Sequence, residues 1–199
     1  SIEEKTIYDY IIKLALATGL RQGELLALTW GNINFTKSVI EVRMSVSRKE
    51  NTDSSSSNKY VKYIKSPKTT SSKRDVPIDD NVISILKRYR MKVIKDEKLN
   101  KKELPNKKLV FSNKNGDLIN RESLRYNWKK TVEKAGVRYL TFHKLRASYA
   151  SLLAVNGISL KGVSKLLGHS KSTTTAKYYV ATDDTELRKA ANITGNLYE

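Results

Sequence analysis

Hydrophobic periodicity changes along this chain in an order that constrains the fold more than any other feature. From Glu3 to about Leu20 apolar residues recur every three or four positions, which predicts an amphipathic helix, and a glycine then supplies a stop. A second helical segment opens near Arg21 to Glu24 and is broken by a Trp-Gly-Asn sequence. Strand-like runs come next, and a helical pattern returns from Asp80 to the end.

The strand-like runs are short and bounded by polar turn residues. They cover Val39 to Val46, Tyr60 to Ile64 and Arg74 to Ile78, with alternation or β-branched enrichment in each. Residues 51–58 lie between the first two runs, and their small polar side chains predict a flexible hairpin tip. Together the runs predict a small antiparallel sheet.

Helical patterns fill the rest of the chain after the sheet. We find no internal repeat that would indicate a solenoid. The predicted helices lie near Val82 to Lys95, Arg121 to Ala135, His143 to Val155, Leu160 to Leu167 and Ser172 to Val180.

Positive charge narrows the function class. The chain has 199 residues, the length of one domain, and its 38 Lys and Arg against 20 Asp and Glu give a net charge of +18 and a pI near 9.9. A protein with this excess of positive charge is expected to bind a polyanion. Nucleic acid is favoured over membrane because the sequence has no long apolar run and no basic helix with an aromatic face. The basic region Lys87 to Lys108 fits a DNA contact or a solvated helix and loop equally well.

Several residue patterns are missing from the sequence, and each excludes a chemistry. There is no cysteine, hence no disulfide or thiolate metal site, and no carboxylates paired beside histidines that would hold magnesium or zinc. Glycine-rich nucleotide loops are also missing. We therefore expect no cofactor and no metal. The chain shows no signal peptide and begins without methionine, so we expect a fragment of a longer, cytoplasmic protein.

The chain's two histidines and one early arginine stand in distinctive settings. His143 and Arg146 are three apart at the start of a predicted helix, hence on one face, where both can reach one anion. His169 follows a glycine at a predicted helix end, and Tyr178 comes nine residues later. Arg21 directly follows the break after the first helix.

Taken in order, Arg … Lys … His-x-x-Arg … Gly-His … Tyr resembles the signature of the tyrosine recombinases, the phage and transposon integrase family. The resemblance spans about Thr18 to Tyr178. It implies an α+β, mainly helical catalytic-domain fold with a small three-stranded antiparallel sheet, wrapping duplex DNA through a basic concave face. It also implies a set of catalytic residues, namely Arg21, Lys68, His143, Arg146, His169 and Tyr178.

Two of these assignments leave neighbouring alternatives open. Ser-Pro-Lys-Thr followed by Ser-Lys-Arg is similar to the integrase pattern Pro-Lys-Thr … Ser-x-Arg, which implies Lys68 as the hairpin lysine, with Lys65 and Lys73 as competitors. Tyr179 adjoins Tyr178, and only the spacing from His169 selects between them. Glu24 is expected to support Arg21 rather than to take part in the chemistry.

The chemistry that the resemblance implies agrees with the residue types. Arginine forks bind non-bridging phosphate oxygens bidentately and keep their charge. A tyrosine phenol, with a pKa of about 10, needs a proton acceptor and positive surroundings to act as a nucleophile. A lysine on a mobile hairpin can protonate the departing 5′ oxygen. The alternatives are a type IB topoisomerase-like nicking and resealing enzyme and a catalytically silent DNA-binding module.

The resemblance also implies domains and partners. Residues 1–180 would be the catalytic domain, and residues 181–199 a tail that packs on a neighbouring protomer or folds back on its own domain. The family's N-terminal DNA-binding domain is expected to be absent from this fragment. The expected partners are double-stranded DNA, as an attachment or transposon-end site, and further copies of the chain in a tetrameric synapse. We expect no membrane partner and a cytoplasmic, nucleoid-associated bacterial protein.

Overall fold

The computed structural model describes residues 4–52, 60–66, 72–100, 108–168 and 184–195. Most of the described elements are helices, and the strands form a small sheet and a separate hairpin. In chain order the elements are α1 (Ile7–Thr18), α2 (Gln22–Leu26), a 3-10 turn (Trp30–Asn32), β1 (Ile33–Asn34), β2 (Val39–Val42), β3 (Ser45–Glu50), β4 (Tyr60–Lys65), β5 (Arg74–Pro77), α3 (Asp80–Asn100), α4 (Arg121–Lys134), α5 (Lys144–Val155), α6 (Leu160–Leu167) and α7 (Asp184–Gly195).

Capping residues set both ends of helix α1. Thr6 and Asp9 form a reciprocal capping box, so the helix begins at Ile7 rather than at Glu3. Gly19 ends it in the left-handed conformation, with φ of 60°. A Cβ at Gly19 would lie 2.5 Å from the Tyr149 ring, so both the backbone conformation and the close approach require glycine.

The predicted three-stranded antiparallel sheet is present, but its strands differ from the predicted runs. Its order is β1-β2-β5, and Ile40 pairs with Val76 in its centre, where both side chains are buried. The run from Val39 to Val46 is interrupted at Arg43 and Met44, where the chain leaves the sheet. Among the described residues, strands β3 and β4 pair with each other and form a separate hairpin. Alternation located the strand-forming segments from Val39 onwards, but it missed β1 and the break at Arg43, and it could not predict which strands pair.

Helices α3 to α6 confirm the predicted helical half, with capping residues setting several of the ends. Asn120 caps α4 and Ser159 caps α6 through their side chains, and Gly168 closes α6 with φ of 65°. Helix α3 is longer than predicted at both ends. The predicted helix near residues 172–180 and most of the predicted hairpin tip lie outside the described residues.

Helix α1 forms the centre of the core, packed against α3, α5 and α7. The largest fully buried side chains include Ile11, Phe111 and Leu153, which come from distant parts of the sequence. None of the helices within the described ranges combines the length and apolarity that crossing a bilayer requires. A single packed core fixes α1, α5 and α6 relative to one another.

The C-terminal helix α7 packs on its own domain, which is one of the two arrangements expected for the tail. Leu187 and Ala190 are buried, and Thr194 Oγ1 donates a 2.9 Å hydrogen bond to the carbonyl of Ala17 in α1. The carboxylate of Glu186 accepts a 2.6 Å hydrogen bond from the backbone N–H of Ser159, at the start of α6. Packing of the tail on a neighbouring protomer stays a prediction.

Candidate active site

Arg21 lies in the break between α1 and α2, where its backbone is extended. Its Nη1 donates to Glu24 Oε1 at 2.8 Å, and its backbone N–H donates to Glu24 Oε2 at 2.9 Å. Its Nη2 donates to the carbonyl of Gly168 at 3.0 Å. The side chain is 36% exposed, so a solvent-borne anion can reach it. Hydrogen bonds therefore hold the Arg21 side chain in place, while part of its surface remains accessible to solvent.

Arg146 reaches the same place from α5 and is buried. Its Nη1 donates to the carbonyl of Gly19 at 2.9 Å, and its Nη2 donates to the carbonyl of Leu167. His143 occupies the N-cap position of α5 and is exposed. His143 and Arg146 were predicted to share one helix face, but the first is exposed and the second is buried. The reason is that the helix begins at Lys144, so His143 precedes its first turn.

A third arginine, Arg74 at the start of β5, completes the cluster. Its Nε donates to the carbonyl of Leu166 at 2.5 Å, and its Nη1 and Nη2 donate to the two oxygens of Glu24 at 3.1 and 2.9 Å. We define Arg21, Arg74, Arg146 and Glu24 as the arginine cluster. Arg74 is not among the predicted catalytic residues; the sequence placed it at the start of a strand-like run and in the Ser-x-Arg pattern, and that pattern is the signal that could have identified it.

The arginine cluster converges on the C-terminal end of α6. The carbonyls of Leu166, Leu167 and Gly168 each accept a hydrogen bond from one of the three guanidinium groups. The last carbonyls of a helix have no intrahelical partners and carry partial negative charge, so cations stabilise them. His169 follows directly in sequence. The cluster therefore fixes the point from which the chain continues towards His169 and Tyr178.

Comparison with known proteins supplies the family. Residues 2–186 match the phage integrase family. The chain belongs to the phage integrase family. The solved structure of the Tn1549 transposon integrase in complex with a circular intermediate DNA is similar with a TM-score of 0.64 and 26% identity, over 93% of this chain and 58% of that one. The XerA recombinase structure, at 20% identity and a TM-score of 0.60 over 94% of this chain and 56% of that one, shares the fold.

Curated relatives within this family are tyrosine recombinases. The XerC-like tyrosine recombinase of Caldanaerobacter subterraneus subsp. tengcongensis is 39% identical over 170 residues, which cover 83% of this chain and 43% of that protein. XerD of Staphylococcus saprophyticus is 30% identical over 183 residues, covering 92% of this chain and 52% of that protein. The chain thus spans about half the length of the curated relatives it matches. The predicted tyrosine-recombinase catalytic-domain fold is confirmed.

Electrostatics in this integrase-family site favour an anionic ligand. Burial lowers the pKa of Arg146 to about 10, helped by the like charges of Arg21 and Arg74, so Arg146 remains protonated at neutral pH. Burial alone would raise the pKa of Glu24, but hydrogen bonds and charge from Arg74, together with the bonds from Arg21, outweigh it and hold the pKa below its usual value. One carboxylate against three guanidinium groups leaves a net positive site, suited to a phosphate.

Four residues named in the sequence analysis belong to segments that the structure does not describe. Lys68, His169 and Tyr178, and also Tyr179, lie outside the described residues. The two alternative lysines are described. Lys65 ends β4, with its Nζ 6.0 Å from the centre of the Tyr63 ring, and Lys73 is exposed immediately before Arg74. Among the described residues no group of histidine, aspartate and glutamate side chains could hold a metal ion.

Proposed function

We propose that this chain is the catalytic domain of a site-specific DNA recombinase, which cleaves and rejoins DNA through a 3′-phosphotyrosyl intermediate to integrate or excise mobile DNA. The observation that carries the proposal is that Arg21 and Arg146, which are far apart in the sequence, meet at the helix end that precedes the Gly-His motif. The family match and the recombinase relatives support the same activity.

The proposed first step is a transesterification by Tyr178. Its phenolic oxygen attacks the phosphorus of a DNA phosphodiester, and the bond from phosphorus to the 5′ oxygen breaks. His143 accepts or relays the phenol proton, and Lys68 gives a proton to the departing 5′ oxygen. A 5′ hydroxyl of another duplex then attacks the phosphotyrosyl bond and releases Tyr178. Each step exchanges one phosphoester bond for another, so no nucleotide cofactor is required.

Arg21 and Arg146 are proposed to stabilise the crowded, negatively charged transition state. A guanidinium group carries five N–H donors, so bonds to carbonyls and to Glu24 do not exhaust its capacity. Fixed cations in a partly buried site cost little reorganisation when charge develops on the non-bridging oxygens. His169 is proposed to donate a hydrogen bond to the scissile phosphate, close to the end of α6 where both arginines are held.

Duplex DNA is the proposed substrate and partner. The net charge of +18 supplies the phosphate contacts, and the related Tn1549 transposon integrase is solved in complex with DNA. We also propose a tetrameric synapse assembled on DNA, contact of the 181–199 tail with a neighbouring protomer, and a cytoplasmic, nucleoid-associated location. The relatives are recombinases and integrases, which favours this function over a topoisomerase or a silent DNA-binding module.

Covalent capture tests the proposal without knowledge of the target sequence. The chain is incubated with a pool of duplexes that carry a randomised core and a fixed nick, so that cleavage near the nick releases a short strand and traps the protein on DNA. Adducts that survive denaturation are purified and sequenced, and the enriched duplex becomes the substrate for variants. Tyr178→Phe should abolish the adduct, and Tyr179→Phe should retain it.

The possible outcomes separate the nucleophile from the function. Loss of the adduct in Tyr179→Phe, with an undiminished adduct in Tyr178→Phe, would move the nucleophile by one residue and keep the recombinase chemistry. Absence of any adduct from the unmodified chain, with DNA binding intact, would overturn the enzymatic proposal. Rejoining is checked by adding a duplex with a free 5′ hydroxyl and following its ligation to the trapped strand.

A further inference from the structure

We infer that Arg74 is a positioning residue of the proposed cleavage site, which orients Arg21 through Glu24 and fixes the end of α6 that precedes His169. The inference rests on the proposed function and adds a residue to which no role in the reaction has been given. Arg74 connects β5, α2 and α6, whereas Arg21 and Arg146 are the arginines proposed to touch the phosphate.

The geometry of Arg74 is that of a clamp. Its two terminal nitrogens bind the two oxygens of Glu24, at 3.1 and 2.9 Å, which fixes the plane of the carboxylate. The same two oxygens accept the side-chain and backbone N–H groups of Arg21. Arg74 and Arg21 share this one carboxylate. Arg74 therefore sets the orientation of the Glu24 carboxylate, and that orientation in turn positions the guanidinium group of Arg21.

Burial separates Arg74 from Arg21, but Arg146 is as buried as Arg74. The number of nitrogens bonded within the protein separates those two: Nε, Nη1 and Nη2 of Arg74 all donate to protein groups, whereas the described bonds of Arg146 involve Nη1 and Nη2. The side chains of Arg74 and Glu24 are 5% and 4% exposed, whereas that of Arg21 is 36% exposed. The donors of Arg74 point to Glu24 and to the carbonyl of Leu166, so its charge is committed within the protein. Arg74 thus acts through its neighbours, and a lysine could not replace its fork of donors with one ammonium group.

The rate of adduct formation on the captured nicked duplex tests this role. Arg74→Met should slow adduct formation about 100-fold, because a displacement of about 1 Å in a catalytic group has an effect of that size. Arg74→Lys retains the charge but loses the fork, and about a tenfold loss is expected. The matched control is Arg48→Met, a partly exposed arginine of β3 that also donates to a carboxylate, that of Glu122. The control should stay within about twofold of the unmodified chain.

A pH profile distinguishes positioning from general loss of structure. The charged groups around Glu24 are Arg21, Arg74 and Arg146. Glu41 and Arg43 line a small hollow together with Glu24. Without Arg74, burial dominates and the pKa of Glu24 should rise. Adduct formation by Arg74→Met should then fall further at acidic pH, with an extra acid limb that is absent in the unmodified chain. The double variant Arg74→Met/Glu24→Gln, which has no carboxylate to protonate, should lack that limb.

Failure of this inference can be told apart from failure of the proposed function. If the unmodified chain forms the adduct and Arg74→Met and Arg74→Lys form it at the same rate, the function stands and the positioning role is overturned. If the unmodified chain forms no adduct, the proposed function fails. The contact between Arg74 and Glu24 can still be tested by following the titration of the Glu24 carboxyl carbon by NMR. An unchanged Glu24 titration midpoint in Arg74→Lys and Arg74→Met would overturn it, and a raised midpoint would support it.

Discussion

Arginine–carboxylate pairs occur both in the arginine cluster and on the surface near the β3–β4 hairpin, and the two regions differ in what surrounds each pair. The Arg74–Glu24 pair is about 95% buried on both sides, with side chains 5% and 4% exposed. The pair between Arg48 of β3 and Glu122 of α4 has a shorter separation of 2.5 Å, but its side chains are 31% and 55% exposed. If distance alone set the strength of an ion pair, the surface pair would be the stronger of the two.

The difference teaches that burial, rather than contact distance, decides what an ion pair does. Water and salt screen Arg48 and Glu122, so their attraction adds little to stability. Glu24 and Arg74 have lost their hydration, so each depends on the other and on fixed backbone carbonyls. A buried pair therefore holds a geometry, which a site for a phosphate requires, while a surface pair can form and break freely.

Removal of Glu24 should have the largest effect. Glu24→Ala leaves Arg21, Arg74 and Arg146 facing one another without a counter-charge, and the free energy of unfolding should fall by about 3–5 kcal/mol. Urea unfolding followed by circular dichroism measures it. The matched control is Glu122→Ala on the surface. Equal losses in the two variants would contradict the contrast between buried and exposed pairs.

A methyl group at Gly19 should come next. Gly19→Ala adds a Cβ in a left-handed conformation and only 2.5 Å from the Tyr149 ring, and it disturbs the carbonyl that binds Arg146. We expect a loss of about 2–4 kcal/mol in the free energy of unfolding. Gly157 has φ of +81° and open space where an added methyl group would lie, so Gly157→Ala should cost only about 1 kcal/mol. Thermal unfolding of both variants checks the difference.

The pH dependence of stability should distinguish the two carboxylates. The pKa of Glu24 is lowered in the folded chain, so its stabilising contribution is full above the unfolded value near 4.5 and is lost as the pH falls through the lower folded value. Unfolding free energies of the unmodified chain and Glu24→Gln should therefore converge as the pH falls through the folded pKa of Glu24, which lies below 4.5. Glu122→Gln should change the profile much less, because that carboxylate is exposed. Parallel profiles for Glu24→Gln and the unmodified chain would contradict this prediction.

Loss of a surface pair should have the smallest effect. Arg48→Ala removes the bond to Glu122 and should change the free energy of unfolding by less than about 1 kcal/mol. That small difference should shrink further when salt is raised from about 0.05 M to about 0.5 M, because added ions screen exposed charges. Unfolding at the two salt concentrations measures it. A large, salt-independent loss would show that Arg48 behaves like the buried arginines.

Sequence patterns predicted individual elements better than their pairing. Periodicity located α4 and α6 closely, because the helical spacing of apolar residues is a local property of the chain. The run from Val39 to Val46 looked like one strand, yet the structure breaks it at Arg43 and pairs its halves with different partners. Alternation along a strand carries no information about its neighbour, so strand order could not be predicted.

The site divides in the same way. The ordered motifs selected Arg21, His143 and Arg146 and the family, since those residue types and spacings are local properties of the chain. Only the tertiary structure brought Arg74 to Glu24, 50 residues away, and Arg146 to the carbonyl of Gly19, 127 residues away. Burial and hydrogen-bond partners depend on which distant segments pack together. The sequence by itself therefore determined which groups carry the proposed chemistry, and the packing of α1, α5, α6 and β5 decided how they are held.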